Sequence, residues 1–281
     1  MRLPQVSFLV ILMLLKLSSA HTIPKIVGRA PRETAGSSRR GVAYNDVKFV
    51  KYFDLPGSRV TWAYNWDSRA NGDFNTWYEF VPMLHSNRPD HTGKWAAAIT
   101  AAAFANKDAA THFLGFNEPD NCEPNMGGAC MDLGSSVAAW KQFMEPALAL
   151  KEKIYLGSPA VTNGPQGLAY LSSFLTACTG CTIHFIALHW YDSATNVPYF
   201  KAYIEEARKV AAGRPIWITE FQVRGSDDQV KAFLDEVLPW LDAAEDVHRY
   251  AYFMAAARHG QLIDIGGASL SNIGTHYTLH G

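Results

Sequence analysis

The sequence predicts a single-domain α/β fold, a (β/α)8 TIM barrel, and three observations lead to this prediction. Eight short apolar, aromatic or β-branched runs recur between Gly41 and Ala256. Amphipathic stretches separate several of them, which implies a parallel sheet with right-handed crossovers. The first run is not followed by the glycine-rich phosphate loop of a doubly wound open sheet. Eight strands in about 240 residues therefore favour the barrel over the open sheet.

The predicted elements follow one another in alternation. The eight strands are Gly41–Asn45, Val60–Trp66, Glu79–His85, His112–Glu118, Tyr155–Val161, Phe185–Tyr191, Pro215–Phe221 and Tyr250–Ala256. The predicted amphipathic helices are Gly93–Lys107, Gly134–Lys151, Val197–Ala212 and Ser226–Glu245. In such a barrel the active site lies at the carboxyl ends of the strands.

The N-terminal residues predict export. A positive residue precedes an apolar run at residues 6–17, and small residues follow it, as in a cleaved secretory signal. We expect a signal peptide at residues 1–20, a flexible basic leader or propeptide at 21–40 and the catalytic barrel at 41–281. The apolar run is too short for a comfortable membrane span, so a retained signal anchor is the weaker alternative. The predicted location is extracellular or in a cell wall.

Four cysteines follow in the exported part: Cys122, Cys130, Cys178 and Cys181. An even number in an oxidising compartment favours disulfides, and three pairings are possible. We expect Cys122–Cys130 and Cys178–Cys181, because each pair closes a short loop within one connection. A four-cysteine zinc site would usually show two C-x2-C pairs, and only one is present, so no metal site is expected.

The charge balance excludes one class of partner. The chain has 281 residues, of which 18% are charged, and its formal net charge is -1. A nucleic-acid-binding protein would normally carry a basic excess on one face. We therefore expect no nucleic-acid partner, and the near-neutral balance fits an uncharged substrate. Separately, we expect no membrane contact after signal cleavage and a monomeric chain.

Two glutamates end predicted strands. Glu118 ends the fourth strand and Glu220 lies at the end of the seventh, where a barrel core would prefer branched apolar residues. Glycoside hydrolysis requires a proton for the leaving oxygen and a carboxylate for the developing oxocarbenium carbon. Carboxyl groups roughly 5–5.5 Å apart give retention, and roughly 6.5–9.5 Å apart give inversion.

The motifs at these residues resemble a known group. Phe-Asn-Glu-Pro-Asp at 116–120 and Ile-Thr-Glu-Phe at 218–221 are similar to the signatures of the large clan of retaining barrel glycosidases. The wider ordered set resembles glycoside hydrolase family 128, the fungal-type catalytic domains related to the alkali-sensitive linkage protein. That set adds Gly41–Asn45, Thr61–Trp66, Gly157–Ala160 and His189–Asp192. The resemblance covers about residues 41–277.

The resemblance implies a retaining endo-β-1,3-glucanase that needs no cofactor and binds a β-glucan polysaccharide or oligosaccharide. Glu118 matches the acid/base and Glu220 the nucleophile. Asn117 would bond the 2-hydroxyl of the sugar beside the scissile bond, a contact that strengthens in the transition state. His189 and Tyr191 share one face of their strand and are expected to orient Glu220 or hold its protonation state.

Aromatic residues at the strand ends offer flat faces for sugar rings. We expect Trp66 and Trp190 to contribute such faces and Asn45 to supply a polar contact. Many clan members carry a tryptophan at the end of the eighth strand, where this chain has Tyr-Phe-Met at 252–254. The aromatic face at that subsite must be smaller or come from another strand.

Three alternatives stay open at the level of sequence. The chain is either an active hydrolase or a β-glucan-binding protein on the same scaffold with little turnover. A barrel hydrolase of another β-linked glycan fits the same motifs. The loop at 120–133 either forms a wall of the substrate cleft or is a stapled surface loop.

Overall fold

The computed structural model describes residues 38–74, 78–105 and 109–280. The predicted signal peptide at 1–20 and all but the end of the predicted leader lie outside these residues. Arg40, expected as the last leader residue, is instead the buried first residue of the first strand. Within the described ranges no helix is long and apolar enough to cross a membrane.

Within the described residues, eight parallel strands form the centre of the fold. They are β1 Arg40–Tyr44, β2 Val60–Tyr64, β3 Glu79–Phe80, β4 His112–Leu114, β5 Tyr155–Gly157, β6 Ile186–Ser193, β7 Ile216–Arg224 and β8 Val247–Ala255. Six strands pair in the order β3-β2-β1-β8-β7-β6, and β4 pairs with β5. Parallel bridges from Met83 to Leu114 and from Gly157 to Phe185 join these two sheets at both edges. The ring is closed, which confirms the predicted barrel.

Helices and single helical turns fill the connections. The α-helices are α1 Pro89–Ala103, α2 Leu133–Ala139, α3 Gly167–Ala177, α4 Val197–Ala211, α5 Asp227–Ala243 and α6 Asn272–Leu279. A 3-10 helix covers Val47–Phe53, and α2 continues as a π-helix and a 3-10 helix to Ala149. The α5 helix begins at a capping box in which Ser226 and Gln229 satisfy each other's backbone N–H groups. Neither α3 nor α6 was predicted.

Several strands are shorter than predicted, for local reasons. The third predicted strand extends to His85, but pairing becomes irregular after Phe80 because Pro82 has no N–H to donate. The fourth predicted strand extends to Glu118, but Glu118 has a φ of 43°, outside the extended region. Both segments leave regular pairing where they approach the open end of the barrel.

Large aromatic side chains fill the barrel interior. Trp62 and Trp217 lie fully inside, with ring centroids 5.3 Å apart. The indole of Trp62 covers Gly41, where an added Cβ would lie 2.1 Å from the ring. Only glycine therefore permits this approach of β1 to the interior tryptophan.

A charged cluster closes the amino-terminal end of the strands, which we call the barrel floor. Glu79 accepts hydrogen bonds from His112 Nδ1 at 3.0 Å and from the N–H of Thr111 at 2.9 Å, and it pairs with Arg249 at 2.5 Å. The guanidinium of Arg249 lies 4.4 Å from the ring centroid of Trp217. Burial would raise the pKa of Glu79, but the bond from His112 and the charge of Arg249 hold it well below its ordinary value.

The last helix, α6, contacts both the first and the last strand of the barrel. The hydroxyl of Tyr277 on α6 donates to the carbonyl of Gly41 on β1 at 2.9 Å. The same oxygen accepts from the N–H of Tyr252 on β8 at 3.3 Å. Arg40 donates to the carbonyl of Tyr277 at 2.8 Å. The α6 helix therefore covers the seam between the first and last strands.

Candidate active site

A cavity of about 540 Å³ opens at the carboxyl ends of the strands. Its lining is mostly polar and aromatic: Asn45, Trp66, His85, Asn117, Glu118, Asn121, Met126, Gly127, Thr162, Asn163, Tyr191, Glu220, Arg224 and Phe253. Most of the predicted site residues belong to this lining. Sugar-binding clefts combine apolar faces with a few fixed polar groups in this way.

The two predicted catalytic glutamates face each other across this cavity. Glu118 follows β4 and Glu220 lies within β7, and both are almost fully buried. A carboxylate oxygen of Glu118 lies within 4.8 Å of one of Glu220. The left-handed backbone of Glu118 is held by a 2.8 Å hydrogen bond from its N–H to the carbonyl of Ala160. So close an approach suits the retaining spacing of roughly 5–5.5 Å better than the inverting spacing of roughly 6.5–9.5 Å.

His189 lies between the two carboxylates. Its Nδ1 is 2.7 Å from Oε1 of Glu118, and its Nε2 is 3.3 Å from Oε1 of Glu220. The second contact is an ion-pair distance without hydrogen-bond alignment. The imidazole is fully buried. One ring therefore lies beside both carboxylates.

Three hydroxyl or indole donors surround Glu220. Tyr191 donates to Oε2, and Trp66 donates its indole N–H to Oε1 at 2.7 Å. The Tyr64 hydroxyl lies 3.4 Å from the same Oε1. These contacts place Tyr191 against Glu220, and its orienting role stays a prediction. They also give Trp66, which has a left-handed φ of 60°, a polar contact with Glu220 that the sequence did not indicate.

Asn121 forms two hydrogen bonds with Glu118, the other of the two glutamates. Its amide donates to Oε2 of Glu118 at 2.8 Å, and its N–H bonds the carbonyl of Glu118 at 3.0 Å. Sequence reasoning missed this residue. The available signal was its position three residues after Glu118 in a turn, where an asparagine side chain can reach back.

The charges of the three central groups are coupled. Burial would lower the pKa of His189, but the nearby carboxylates of Glu220 and Glu118 raise it. Burial would raise the pKa of Glu118, and the hydrogen bond and charge of His189, with Asn121, lower it. Burial raises the pKa of Glu220 despite the opposing charge of His189. Two buried acids therefore share one basic group.

The same three residues could offer ligand atoms to a metal ion, since one atom from each lies within 4.8 Å of the others. Binding would replace the contact between His189 and a carboxylate on at least one side. The two-carboxylate chemistry of glycoside hydrolysis needs no such ion.

Asn45 and Asn117 line the cavity as predicted. Asn117 donates its amide to the carbonyl of Gly127 at 3.1 Å. Its side-chain oxygen is buried and has no partner among the described residues. The acceptor is therefore free to receive a hydrogen bond from a bound hydroxyl group.

The prediction that Trp190 contributes to substrate binding is wrong. Its side chain is fully buried between β6 and the outer helices. The ring stacks on Phe233 at 5.8 Å and meets the edge of Phe200 at 4.9 Å. Successive side chains on a strand point to opposite faces, so Trp190 points outward where His189 and Tyr191 point inward.

Both expected disulfides, Cys122–Cys130 and Cys178–Cys181, are present. The first closes the loop that follows Glu118. Met126 and Gly127 at the tip of this loop line the cavity. Of the two readings of the loop, the structure supports the cleft wall.

Phe253 on β8 takes the place expected for an aromatic residue at the eighth strand. Its ring lies 5.6 Å from those of Trp66 and Tyr191, edge to face with both. His85, Thr162, Asn163 and Arg224 also line the cavity. Sequence reasoning did not select these five residues, because each is ordinary in type and only the fold brings them together.

Comparison with known proteins shows the family of this chain. A family model described as glycosyl hydrolase catalytic core matches residues 41–277. The chain belongs to this family. The predicted resemblance to glycoside hydrolase family 128 is confirmed by solved structures of that family.

Three relatives of this glycosyl hydrolase illustrate the range of sequence identity and of described activity among the matches. A structure from Blastomyces gilchristii, described as a subgroup III curdlan-specific exo-β-1,3-glucanase in complex with glucose, has 37% identity and a TM-score of 0.76, covering 86% of this chain and 98% of that one. A subgroup II endo-β-1,3-glucanase from Sorangium cellulosum has 27% identity and a TM-score of 0.69. The match covers 86% of this chain and 100% of that one. Alkali-sensitive linkage protein 1 of Schizosaccharomyces pombe is 30% identical over 246 residues, which are 85% of this chain. The match spans only 43% of that protein.

Proposed function

We propose that this glycosyl hydrolase is a retaining β-1,3-glucanase, with endo action as the sequence resemblance implies. The observation that carries the proposal is the approach of Glu118 and Glu220 to within 4.8 Å in one open cavity. Such a pair suits double displacement at a sugar carbon. The β-1,3 linkage is proposed from the two solved glucanases, which share it.

In the first step Glu118 protonates the glycosidic oxygen while Glu220 attacks the anomeric carbon and forms a glycosyl-enzyme. In the second step Glu118 takes a proton from water, which attacks the same carbon and releases Glu220. Tyr191 and Trp66 hold the Glu220 oxygens in position for both steps.

The proton for the first step is proposed to come through His189. In the free site the pKa of His189 is raised and that of Glu118 is lowered, so the proton is held on the imidazole. The 2.7 Å bond from Nδ1 to Glu118 offers a direct route for transfer to the acid/base. Glu118 then acts as an acid although its own pKa in the free site is low.

The lining around the glutamates suits a neutral sugar. Trp66 and Phe253 offer apolar ring surface beside Glu220, and Asn45 and Asn117 offer polar contacts. The unpartnered oxygen of Asn117 is proposed to accept a hydrogen bond from the 2-hydroxyl beside the scissile bond. This contact would strengthen as charge develops in the transition state.

Reducing-end release from a linear β-1,3-glucan tests the proposal. We expect release by the wild type and its loss in Glu220→Gln, with glucan binding retained in the variant. Glu152→Gln, an exposed residue outside the cavity, is the matched control. Equal release by wild type and Glu220→Gln would refute the role of Glu220 as nucleophile, and no release by a folded wild type would leave the glucan-binding alternative in its place.

Azide rescue distinguishes the acid/base role of Glu118 from the nucleophile role of Glu220. With a substrate carrying a good leaving group, Glu118→Ala should recover turnover in azide and give a β-glycosyl azide, because Glu220 still forms the intermediate. Glu220→Ala should give the α-glycosyl azide by direct displacement. The reverse pattern would exchange the assignments, and nuclear magnetic resonance of the products distinguishes the anomers.

Exo action is the second candidate, favoured by the 37% identical exo-glucanase. Size-exclusion chromatography of a long β-1,3-glucan during digestion decides between them. Endo action lowers the mean chain length early, and exo action releases small sugars while the chains stay long. A panel of linear β-1,4-linked glucan and mannan tests the alternative linkage.

We further propose that the chain is exported and acts as a monomer on glucan outside the cell or in a cell wall. The two disulfides are compatible with an oxidising compartment. Mass spectrometry of the protein from the culture medium tests export and the start of the mature chain. We expect activity to persist in a strong chelator, as no cofactor is needed.

A further inference from the structure

A second group of metal-ligating side chains lies on the surface, on α5 and at the end of α6. Nε2 of His276 is 2.7 Å from Oδ1 of Asp235, and Nε2 of His280 is 3.1 Å from the same oxygen. One ligand atom from each of the three residues lies within 4.8 Å of the others. Nothing in the proposed glucanase chemistry uses these side chains.

The backbone already places the two histidines as a chelating pair. They are four residues apart, His276 within α6 and His280 at its C-cap, so both point from one face of the helix. Their rings are stacked, with centroids 4.4 Å apart and planes inclined by 16°. Two stacked imidazoles that aim the same nitrogen at one carboxylate oxygen offer three converging donors.

The distances are close to those of a bound ion. Bonds of about 2.0–2.1 Å to a tetrahedral Zn²⁺ place neighbouring ligand atoms roughly 3.3 Å apart. The observed contacts of 2.7 and 3.1 Å widen to that value with small rotations of partly exposed side chains. Lys231, a cation that acts electrostatically on Asp235, forms an ion pair with Asp228 instead, at 2.8 Å.

We propose that Asp235, His276 and His280 bind one borderline transition-metal ion of the Zn²⁺ type, with water at the fourth position. Imidazole and carboxylate ligands suit such ions, and three protein ligands leave one position open. The ion would link α5 to α6, the helix that covers the seam between β1 and β8. Its effect is therefore on stability and not on glucan turnover.

Calorimetric titration of Zn²⁺ into chelator-stripped, untagged full-length protein near neutral pH tests this site without any glucan. We expect one ion per chain in the wild type, at least tenfold weaker binding in His276→Gln and in Asp235→Asn, and wild-type binding in His259→Gln, an exposed histidine elsewhere. Zn²⁺ should raise the Tm of the wild type and of His259→Gln only.

Two results would overturn the proposal. One is the lack of saturable binding by the wild type. The other is undiminished binding by both His276→Gln and Asp235→Asn, which would place the ion elsewhere. Loss of binding in Glu220→Gln would then identify the group of Glu118, His189 and Glu220 as the place where the ion binds. Circular dichroism of each variant confirms that a lost site does not reflect an unfolded chain.

Discussion

The two ends of the barrel each bury carboxylates beside a histidine, with opposite electrostatic results. At the floor, a single acid, Glu79, meets Arg249, His112 and a backbone N–H. At the open end, the carboxylates of Glu118 and Glu220 both lie beside one basic side chain, His189. The pKa of Glu79 is held well below its ordinary value, whereas burial raises that of Glu220.

The difference follows from what each end must do. A buried carboxylate with a full set of donors and a cation is stabilised in its charged form, and it supports the fold. Two acids that share one base are held in unequal states: the pKa of Glu118 is lowered and that of Glu220 is raised, so the proton that Glu118 delivers is proposed to come from His189. The open end, where the buried carboxylates are incompletely balanced by basic groups, is therefore the end at which we expect the reaction.

Glu220→Gln is the strongest test of this difference. We expect turnover to fall on the order of 10⁴-fold or more, because the nucleophile is lost. The free energy of unfolding should stay unchanged or rise, since a neutral amide removes one of the two acids that share His189. Initial rates and chemical denaturation measure the two quantities, and a large loss of stability would contradict the comparison.

Glu79→Gln should give the opposite result. We expect the free energy of unfolding to fall by about 3 kcal/mol near neutral pH, because Arg249 is left buried without its partner. Turnover per folded molecule should stay within about twofold, since the floor does not touch the substrate. Glu152→Gln, on the exposed surface, should change neither quantity.

The pH dependence of that loss has a definite sign. The pKa of Glu79 is lower in the folded chain, so its stabilisation is present above the unfolded value of about 4.3 and fades as pH falls toward the folded one. The stability gap between wild type and Glu79→Gln should therefore narrow below about pH 4. A gap that widens in acid would show that Glu79 is not held as the charged form.

Tyr191→Phe sharpens the comparison at the open end. Tyr191 donates to Glu220 and lowers its pKa, so its loss should raise that pKa. The acidic limb of kcat/KM, which requires ionised Glu220, should move to higher pH. We expect a fall in kcat/KM of about 10- to 100-fold, as for a hydrogen bond to a charged group. Tyr155→Phe on the floor should leave the profile unchanged, and an unmoved acidic limb in Tyr191→Phe would refute the orienting role.

Asn121→Ala should have the smallest effect. The amide of Asn121 helps to lower the pKa of Glu118, so its loss should raise that pKa. The alkaline limb, which requires the proton shared by Glu118 and His189, should then move to higher pH. Turnover should fall about two- to tenfold, the range for one ordinary hydrogen bond. Asn272→Ala, at an exposed position at the start of α6, is the control, and a downward shift of the limb would contradict this account.

The sequence predicted the barrel and both glutamates because these depend on local patterns. Apolar runs ended at Glu118 and Glu220, and parallel strands end on the same side of a barrel. His189 and Tyr191 were placed on one inner face by their alternation. The same alternation would have sent Trp190 outward, so that error came from weighing residue type above strand geometry.

What the sequence did not predict depends on contacts between distant segments. The floor pair of Glu79 and Arg249 joins residues 170 positions apart, and neither side chain has a local signature. The bond from Trp66 to Glu220 requires a left-handed backbone at a tryptophan, which no propensity favours. Such features exist only once the ring has closed.

The seam under α6 has a consequence for how the protein is made. Strand β1 pairs with β8, and the Tyr277 hydroxyl that contacts Gly41 lies 236 positions further along. On a translating ribosome the first strand must wait, with one edge unpaired, until nearly the whole polypeptide has emerged. Closure is therefore a late event, and contacts this distant in sequence slow the search for the native topology. An exported chain would complete that search after translocation, where its two disulfides also form.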